Sequence, residues 1–241
     1  MKKILVTGQS SRFVKFLKKE LHAFEVFYPE RKKFNLLNSR QINSYIKKKK
    51  ITHLIHIAGL SRPMDIHEKN ISKSIDLNII GTANIVKCCE NNKIKLIYFS
   101  TNYVYPGTKG NYKETDSLKP INNYAWSKLG GEAAVHLYKN SLILRICMTD
   151  YPFVHKKAVS GAFSSFIFNS KVAQMIPFVL DENGILNVGG EKREIYKFAL
   201  SQVDKNIKKI SIKKIKNFPK DSSLNINKLK KIIKNKIKIS L

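Results

Sequence analysis

Residues 3–8, KILVTG, form an apolar run that stops on a threonine and a glycine, and residues 9–20, QSSRFVKFLKKE, then change to helical spacing. A strand buried on both faces reads as a continuous apolar run, and a strand that turns through glycine into a helix opens a βαβ unit. Four more runs have the same character: FEVFYP (24–29), THLIHIAG (52–59), IKLIYFST (94–101) and SLILRI (141–146). Helical spacing falls between them, at residues 11–23, 40–50, 68–92 and 123–139. Alternation of this kind predicts an α/β fold: a doubly wound, Rossmann-like parallel sheet with right-handed crossovers and helices on both faces. No internal repeat appears, and no Pro, Gly or Ser linker divides the first 150 residues.

A chain of 241 residues with 43% hydrophobic side chains suits one domain, or one with a small appendage. Such a chain builds a core without disulfides or metal. Cys88 and Cys89 are adjacent in a helical stretch and Cys147 lies in an apolar run, which is neither metal-ligand nor disulfide-framework spacing. No metal is expected, and a reducing cytoplasm is implied. The opening MKKILV imitates a signal peptide until TGQSS ends the apolar run, and no window is long enough to span a membrane.

The formal net charge of +28 suits nucleic acid, an anionic membrane or an acidic ligand. Lysines, however, are scattered along the whole chain among asparagines and isoleucines, as a genome-wide composition bias would leave them. In the densest part, residues 204–241, Phe218 is the only aromatic, so no base-stacking platform is signalled and nucleic acid is not an expected partner. Ile226, Leu229, Ile233 and Ile237 instead predict an amphipathic last helix with a lysine face.

In a doubly wound sheet the ligand sits beyond the carboxyl ends of the strands, and the first turn normally carries glycines for a diphosphate. Here Gly8 is followed by Ser11 and Val14 where glycines are expected. The Ser11 β-carbon holds the backbone farther from a diphosphate while its hydroxyl offers a hydrogen bond, and Val14 is expected to push the helix off the strand. In NNYAWSKLGGE (122–132), Tyr124 and Lys128 are one helical turn apart and share a face. A neighbouring ammonium lowers a phenol from its usual pKa of about 10, which suits proton transfer. The same spacing also arises by chance in a lysine-rich chain.

The segments ILVTGQSSRFVKFL (4–17), STNYVYPGTKGNYKETDSLKPINNYAWSKLGGE (100–132), LILRI (142–146), ILNVGGEKREIYKFA (185–199) and DSSLNINKLKK (221–231) resemble the extended short-chain dehydrogenase/reductases. The similarity is greatest to the dTDP-4-dehydrorhamnose reductase branch. That resemblance implies NAD(P)-dependent reduction of a 4-keto-6-deoxy nucleotide sugar. Tyr124 is then the proton donor, and Lys128 lowers its pKa and bonds the nicotinamide ribose. Thr101, with Ser100 beside it, bonds the substrate carbonyl or the tyrosine. Asn102, Arg145 and Met148 face the substrate, methionine standing where the branch usually has tryptophan.

For the cofactor the resemblance implies Gly8, Gln9, Ser11, Arg12 and Phe13 at the diphosphate. Asn35, in place of an aspartate, and Leu36 stand near the adenine, and Ala58, Gly59 and Leu60 lie at the adenosine half. Tyr124 and Lys128 sit at the nicotinamide end. Arg31, Lys32 and Lys33 replace the acidic residue that would bind a ribose 2′-hydroxyl, which favours NADP over NAD. Asn78 matches a family helix position with a packing or backbone-bonding role.

Residues 1–150 are the expected dinucleotide-binding domain and 151–241 a shortened substrate-binding region, where Phe163, Phe166 and Phe168 either stack on a ligand or form core. A homodimer fits the family. A 4-epimerase of the same family, or a non-catalytic dinucleotide-binding regulatory protein, are the alternatives.

Overall fold

The computed structural model describes residues 1–202, 207–215 and 218–239, with side chains as far as residue 236. Strand β1 (Lys3–Val6) leads to helix α1 (Val14–Glu20), β2 (Glu25–Phe27), α2 (Ser39–Lys49) and β3 (His53–His56). A segmented helical run follows: α3 (Ile66–Lys69), α4 (Ile71–Ile75), a π-helical turn (Asp76–Ile80) and α5 (Gly81–Asn91). Then come β4 (Lys95–Thr101), α6 (Asn123–His136) and β5 (Ser141–Ile146). Beyond them lie the short strands β6 (Met148–Thr149), β7 (Lys157–Ser160), β8 (Phe163–Ser164) and β9 (Ile167–Phe168), then α7 (Asn169–Val179) and β10 (Gly184–Val188). β11 (Arg193–Glu194), α8 (Ile195–Leu200), β12 (Lys208–Ser211) and α9 (Asn227–Ile239) end the chain.

The main sheet has six parallel strands in the order β10-β5-β4-β3-β1-β2. This is the Rossmann-like doubly wound sheet the strand–helix alternation predicts. Its last strand comes from beyond residue 150 and pairs with β5 from Gly184↔Leu142 to Val188↔Ile146. The chain runs from β1 outward to β2 and returns to β3 on the other side of β1, so strand order reverses between β1 and β3. At such a reversal the crossovers diverge and leave a crevice at the carboxyl edge.

Each face of the sheet is covered by its own apolar layer. Val6, Phe99, Leu144 and Ile146 pack with α1 and α7 residues such as Leu17, Val172 and Ile176, whereas Leu5, Leu54, Tyr98 and Ile143 pack with Ile42, Ile46, Ile85 and Val135. A third cluster holds Phe153, Ala162, Ile195 and Phe198, with Phe166 and Phe168 packed against it. Those two phenylalanines therefore belong to a core, their rings 5.4 and 5.7 Å from that of Phe198. In α9, Leu229 is buried and Ile233 packs against the main core; the side chain of Ile237 lies outside the described residues.

Helix bounds depart from the periodicity in two informative places. The first helix begins at Val14 rather than 11, because Ser11 N–H closes a turn onto Gly8 O (2.9 Å) and Ser11 Oγ accepts from Phe13 N–H (3.3 Å). Apolar spacing over 68–92 suggests one helix, but Asn70 breaks it by capping Lys73 N–H, and the run widens into a π turn at 76–80.

That π turn receives α6 through two glycines. A β-carbon on Gly131 would lie 2.6 Å from the Tyr98 hydroxyl and would also strike the Asn78 carbonyl, and one on Gly130 would lie 2.8 Å from Ile79 Cδ1. Gly→Ala inside a helix ordinarily stabilises by up to about 1 kcal/mol. Gly131→Ala is expected to do the opposite, lowering stability by about 1–3 kcal/mol through overpacking, read from the urea midpoint.

Candidate active site

The crevice at the strand reversal is a cleft of about 620 Å³ whose walls include Gly8, Gln9, Ser11, Arg12, Phe13, Arg31, Asn35, Leu36, Ala58 and Gly59. Nine of the expected cofactor positions thus come together in one place. Gly8 has φ +80, and a β-carbon there would come within 3.0 Å of Ala58 N, so both the turn and the close approach of β1 and β3 require glycine. Phe13 is buried with its ring 5.2 Å from that of Phe99, and Val14 is buried in the same core.

A polar chain fixes the floor of this cleft. Thr7 Oγ1 accepts from Ile57 N–H (3.1 Å) and Ala58 N–H (3.0 Å), which leaves its own proton to donate to His56 Nδ1 (2.9 Å). His56 therefore carries its proton on Nε2, directed at Thr82 Oγ1 (3.1 Å). Burial pushes its pKa down to about 3, so it is neutral and acts as a fixed hydrogen-bonding strut.

Leu60 is not among the cleft walls. Asn78, carried by the π turn, grips its backbone: Oδ1 accepts from Leu60 N–H (2.7 Å), and Nδ2 donates to Leu60 O (2.9 Å) and to Ser127 Oγ in α6 (2.8 Å). One side chain thereby ties the loop after β3 to the helix bearing Tyr124 and Lys128, which is the backbone-bonding role expected of Asn78. π turns recur where a helix must aim such a side chain.

Thr101, Tyr124 and Lys128 lie outside the walls of the cleft, at the carboxyl end of β4 and the first turns of α6. The Tyr124 ring packs 5.1 Å from that of His67. Burial pushes its phenol up to about 12, with the nearby Thr101 hydroxyl and the charge of Arg62 opposing. The ammonium of Lys128 sits 4.2 Å over the Tyr98 ring. Burial lowers it to about 7, with the Glu132 carboxylate opposing. In this arrangement the lysine is directed at the Tyr98 ring. The cation that acts on the phenol is Arg62, on the wall of the cleft.

Three expected substrate positions are distributed unevenly. Met148 is on the cleft wall. Asn102 is buried, with Nδ2 donating to Ser222 O (3.2 Å). Arg145 is turned inward: Nε donates to Glu132 Oε1 (2.9 Å) and Nη1 to the Tyr105 hydroxyl (2.8 Å), with 3% of its surface exposed. Its charge is spent on a buried ion pair, and the substrate role expected of it is corrected to a structural one. Glu132 also accepts from Ser100 Oγ (2.7 Å), so Ser100 belongs to this network.

The sequence reading missed Arg62, His67, Glu132 and Asp150. Arg62 lies in the loop after β3 and Asp150 just after β6, beyond the strand ends where a doubly wound fold puts its ligands, and that position was the available signal.

The family model of the RmlD substrate binding domain matches residues 1–151. Methionine adenosyltransferase 2 subunit beta from Pongo abelii is 30% identical over 188 residues, 72% of this chain and 55% of that protein. The chain thus spans about half the length of this curated relative. The solved structure of a hypothetical dTDP-4-dehydrorhamnose reductase from Sulfolobus tokodaii superposes with a TM-score of 0.85 at 26% identity, over 96% of this chain and 94% of that one. The dTDP-4-dehydrorhamnose reductase of Bacillus anthracis, solved in complex with NADP, also gives 0.85, at 21% identity over 95% of this chain and 92% of that one.

Lys128 has a measurable consequence. Its pKa falls from 10.5 in the unfolded chain to about 7 on folding, so between those values the unfolded chain binds the extra proton and this residue's contribution to stability rises with pH. Lys128→Met is expected to be more stable than wild type at pH 7 by about 1–4 kcal/mol. That advantage shrinks as the pH approaches about 10.5, as thermal unfolding at both ends of the range would show.

Proposed function

This chain belongs to the RmlD substrate binding domain family, a branch of the extended short-chain dehydrogenase/reductases, and we propose that it is an NAD(P)-dependent reductase of a 4-keto-6-deoxy nucleotide sugar. The observation that carries the reading is the position of Tyr124, in the first turn of α6 packed on β4 whose last residue is Thr101, where Arg62 on the wall of the glycine-turn cleft acts on its phenol. The cleft fits a dinucleotide: Gly8 makes the sharp turn at its wall, and Gln9 to Phe13 continue that wall. A solved relative that holds NADP supports a nicotinamide dinucleotide here. When bound, the nicotinamide supplies hydride.

The chain's own residues do the rest. With its phenol at about 12, Tyr124 is protonated at neutral pH and donates to the keto oxygen as negative charge develops there. Thr101 orients that phenol, and Arg62 stabilises the phenolate left behind. Lys128, one helical turn on, is assigned to the nicotinamide ribose, which its side chain reaches by leaving the Tyr98 ring. Arg31 is on the cleft wall and its neighbour Glu30, just after β2, is not, which favours the 2′-phosphate of NADP. Within residues 151–241, the part built on the Phe153–Phe198 cluster is assigned to the substrate side, while α7 and β10 complete the main sheet's layers.

The likeness to a methionine adenosyltransferase subunit favours a second reading, a dinucleotide-binding regulatory protein without turnover. Activity separates the two. Tyr124→Phe is expected to lower NADPH oxidation with a keto nucleotide sugar by about 100-fold or more, with NADPH affinity unchanged. NADPH binding by the wild type without any oxidation would favour the regulatory reading. Arg31→Ala is expected to weaken NADPH about tenfold and leave NADH unaffected, measured by fluorescence titration.

A further inference from the structure

Three arginines, Arg12, Arg31 and Arg62, stand on the walls of the cleft, and among the lining residues Asp150 is the one carboxylate. It is placed with two donors from separate elements. Arg12 Nη1, from the turn after β1, is 2.8 Å from Asp150 Oδ2, and Asn169 Nδ2, from the start of α7, donates to Oδ1 at 2.7 Å. The pair spans the cleft from the diphosphate turn to the segment after β5. The Asp150 side chain is 15% exposed and that of Arg12 59%, so the carboxylate is held and the guanidinium is the freer partner.

A carboxylate on the wall of a diphosphate site works against an anionic ligand. It removes one of three positive charges from the cleft, and the arginine it engages is the one within the phosphate turn. A diphosphate entering there meets a guanidinium that already has an anionic partner, and the two anions compete for it. We propose that Asp150 is a resident counter-ion for Arg12 that the dinucleotide's diphosphate must displace, and that it keeps the bound dinucleotide exchangeable. The inference rests on the dinucleotide-reductase reading, which it deepens. A reductase consumes its dinucleotide and must exchange it every turnover. An epimerase regenerates its dinucleotide within the cycle and gains nothing from a competing anion.

The test is calorimetric titration of the full chain with NADPH and, separately, with uncharged adenosine. Asp150→Asn keeps the shape and the bond from Asn169 but removes the charge. It is expected to bind NADPH about fivefold more tightly than wild type and adenosine equally well. Arg12→Met is expected to weaken NADPH, and Asp150→Asn added to Arg12→Met should give no further tightening, since the competition has lost its object. Unchanged or weaker NADPH binding by Asp150→Asn overturns the proposal. So does an equal change for adenosine, or no dinucleotide binding by either protein. Tightening that depends on Arg12, in a protein that never oxidises NADPH, supports the counter-ion and sinks only the reductase reading.

Discussion

One buried carboxylate, Glu132, decides where the helix that carries Tyr124 and Lys128 can lie. It receives Arg145 from β5 and Ser100 from β4, and both Glu132 and Arg145 are 3% exposed. A buried ion pair adds little net stability over apolar packing, but a misplaced one leaves a charge without a partner in the core, at a cost of several kcal/mol. Its effect is therefore on position. α6 has one place on the sheet where Glu132 meets both donors, and Gly130 and Gly131 remove the side chains that would prevent the helix from reaching it. Once it is there, the first turn of α6 stands beyond the end of β4, where Thr101 meets Tyr124.

The same carboxylate organises the charges beneath the phenol. Two cations, Arg145 and Lys128, share one buried anion, and Arg145 holds it by hydrogen bonds from Nε and Nη2. Lys128 is left with the face of Tyr98, a weaker partner, and burial takes its pKa down to about 7. An ammonium so weakly held is free to turn to another acceptor, whereas one locked to Glu132 would not be. Arg62, on a loop that Asn78 fastens to α6, supplies the positive charge near Tyr124 from the cleft side.

The strands were legible because burial on both faces leaves continuous apolar runs, and the glycine at the end of the first run located the cleft. Two things were less accessible. The π turn has no periodicity of its own, and Asn78 can be read as a clamp only once Leu60 and Ser127 are known to flank it. Arg145 was misjudged because closeness to the strand end was weighed above strand alternation. Ile143 faces the layer containing Val135 of α6, so two residues on, Arg145 points the same way, under α6, while Leu144 and Ile146 face α1 and α7. Ser100 follows Tyr98 by the same rule. The pairing of these residues with Glu132 was within reach of the sequence pattern, but the turn of Lys128 toward Tyr98 was not.

The balance between an enzyme and a regulatory subunit on this fold turns on what each would need to keep. A buried ammonium without a dedicated carboxylate costs stability at neutral pH, and it is not required to close the core, since Val135 and Tyr98 already fill the layer beneath α6. A scaffold that only holds a dinucleotide needs Gly8 and the walls of the cleft. Substitution at the two glycine positions of the turn has been absorbed there: Val14 enters the core behind Phe13, and Ser11 folds the turn on itself. On the reductase reading proposed above, Thr101, Tyr124 and Lys128 carry the proton transfer, and the turn with Ser11 and Val14 has only to hold a dinucleotide that leaves after each cycle.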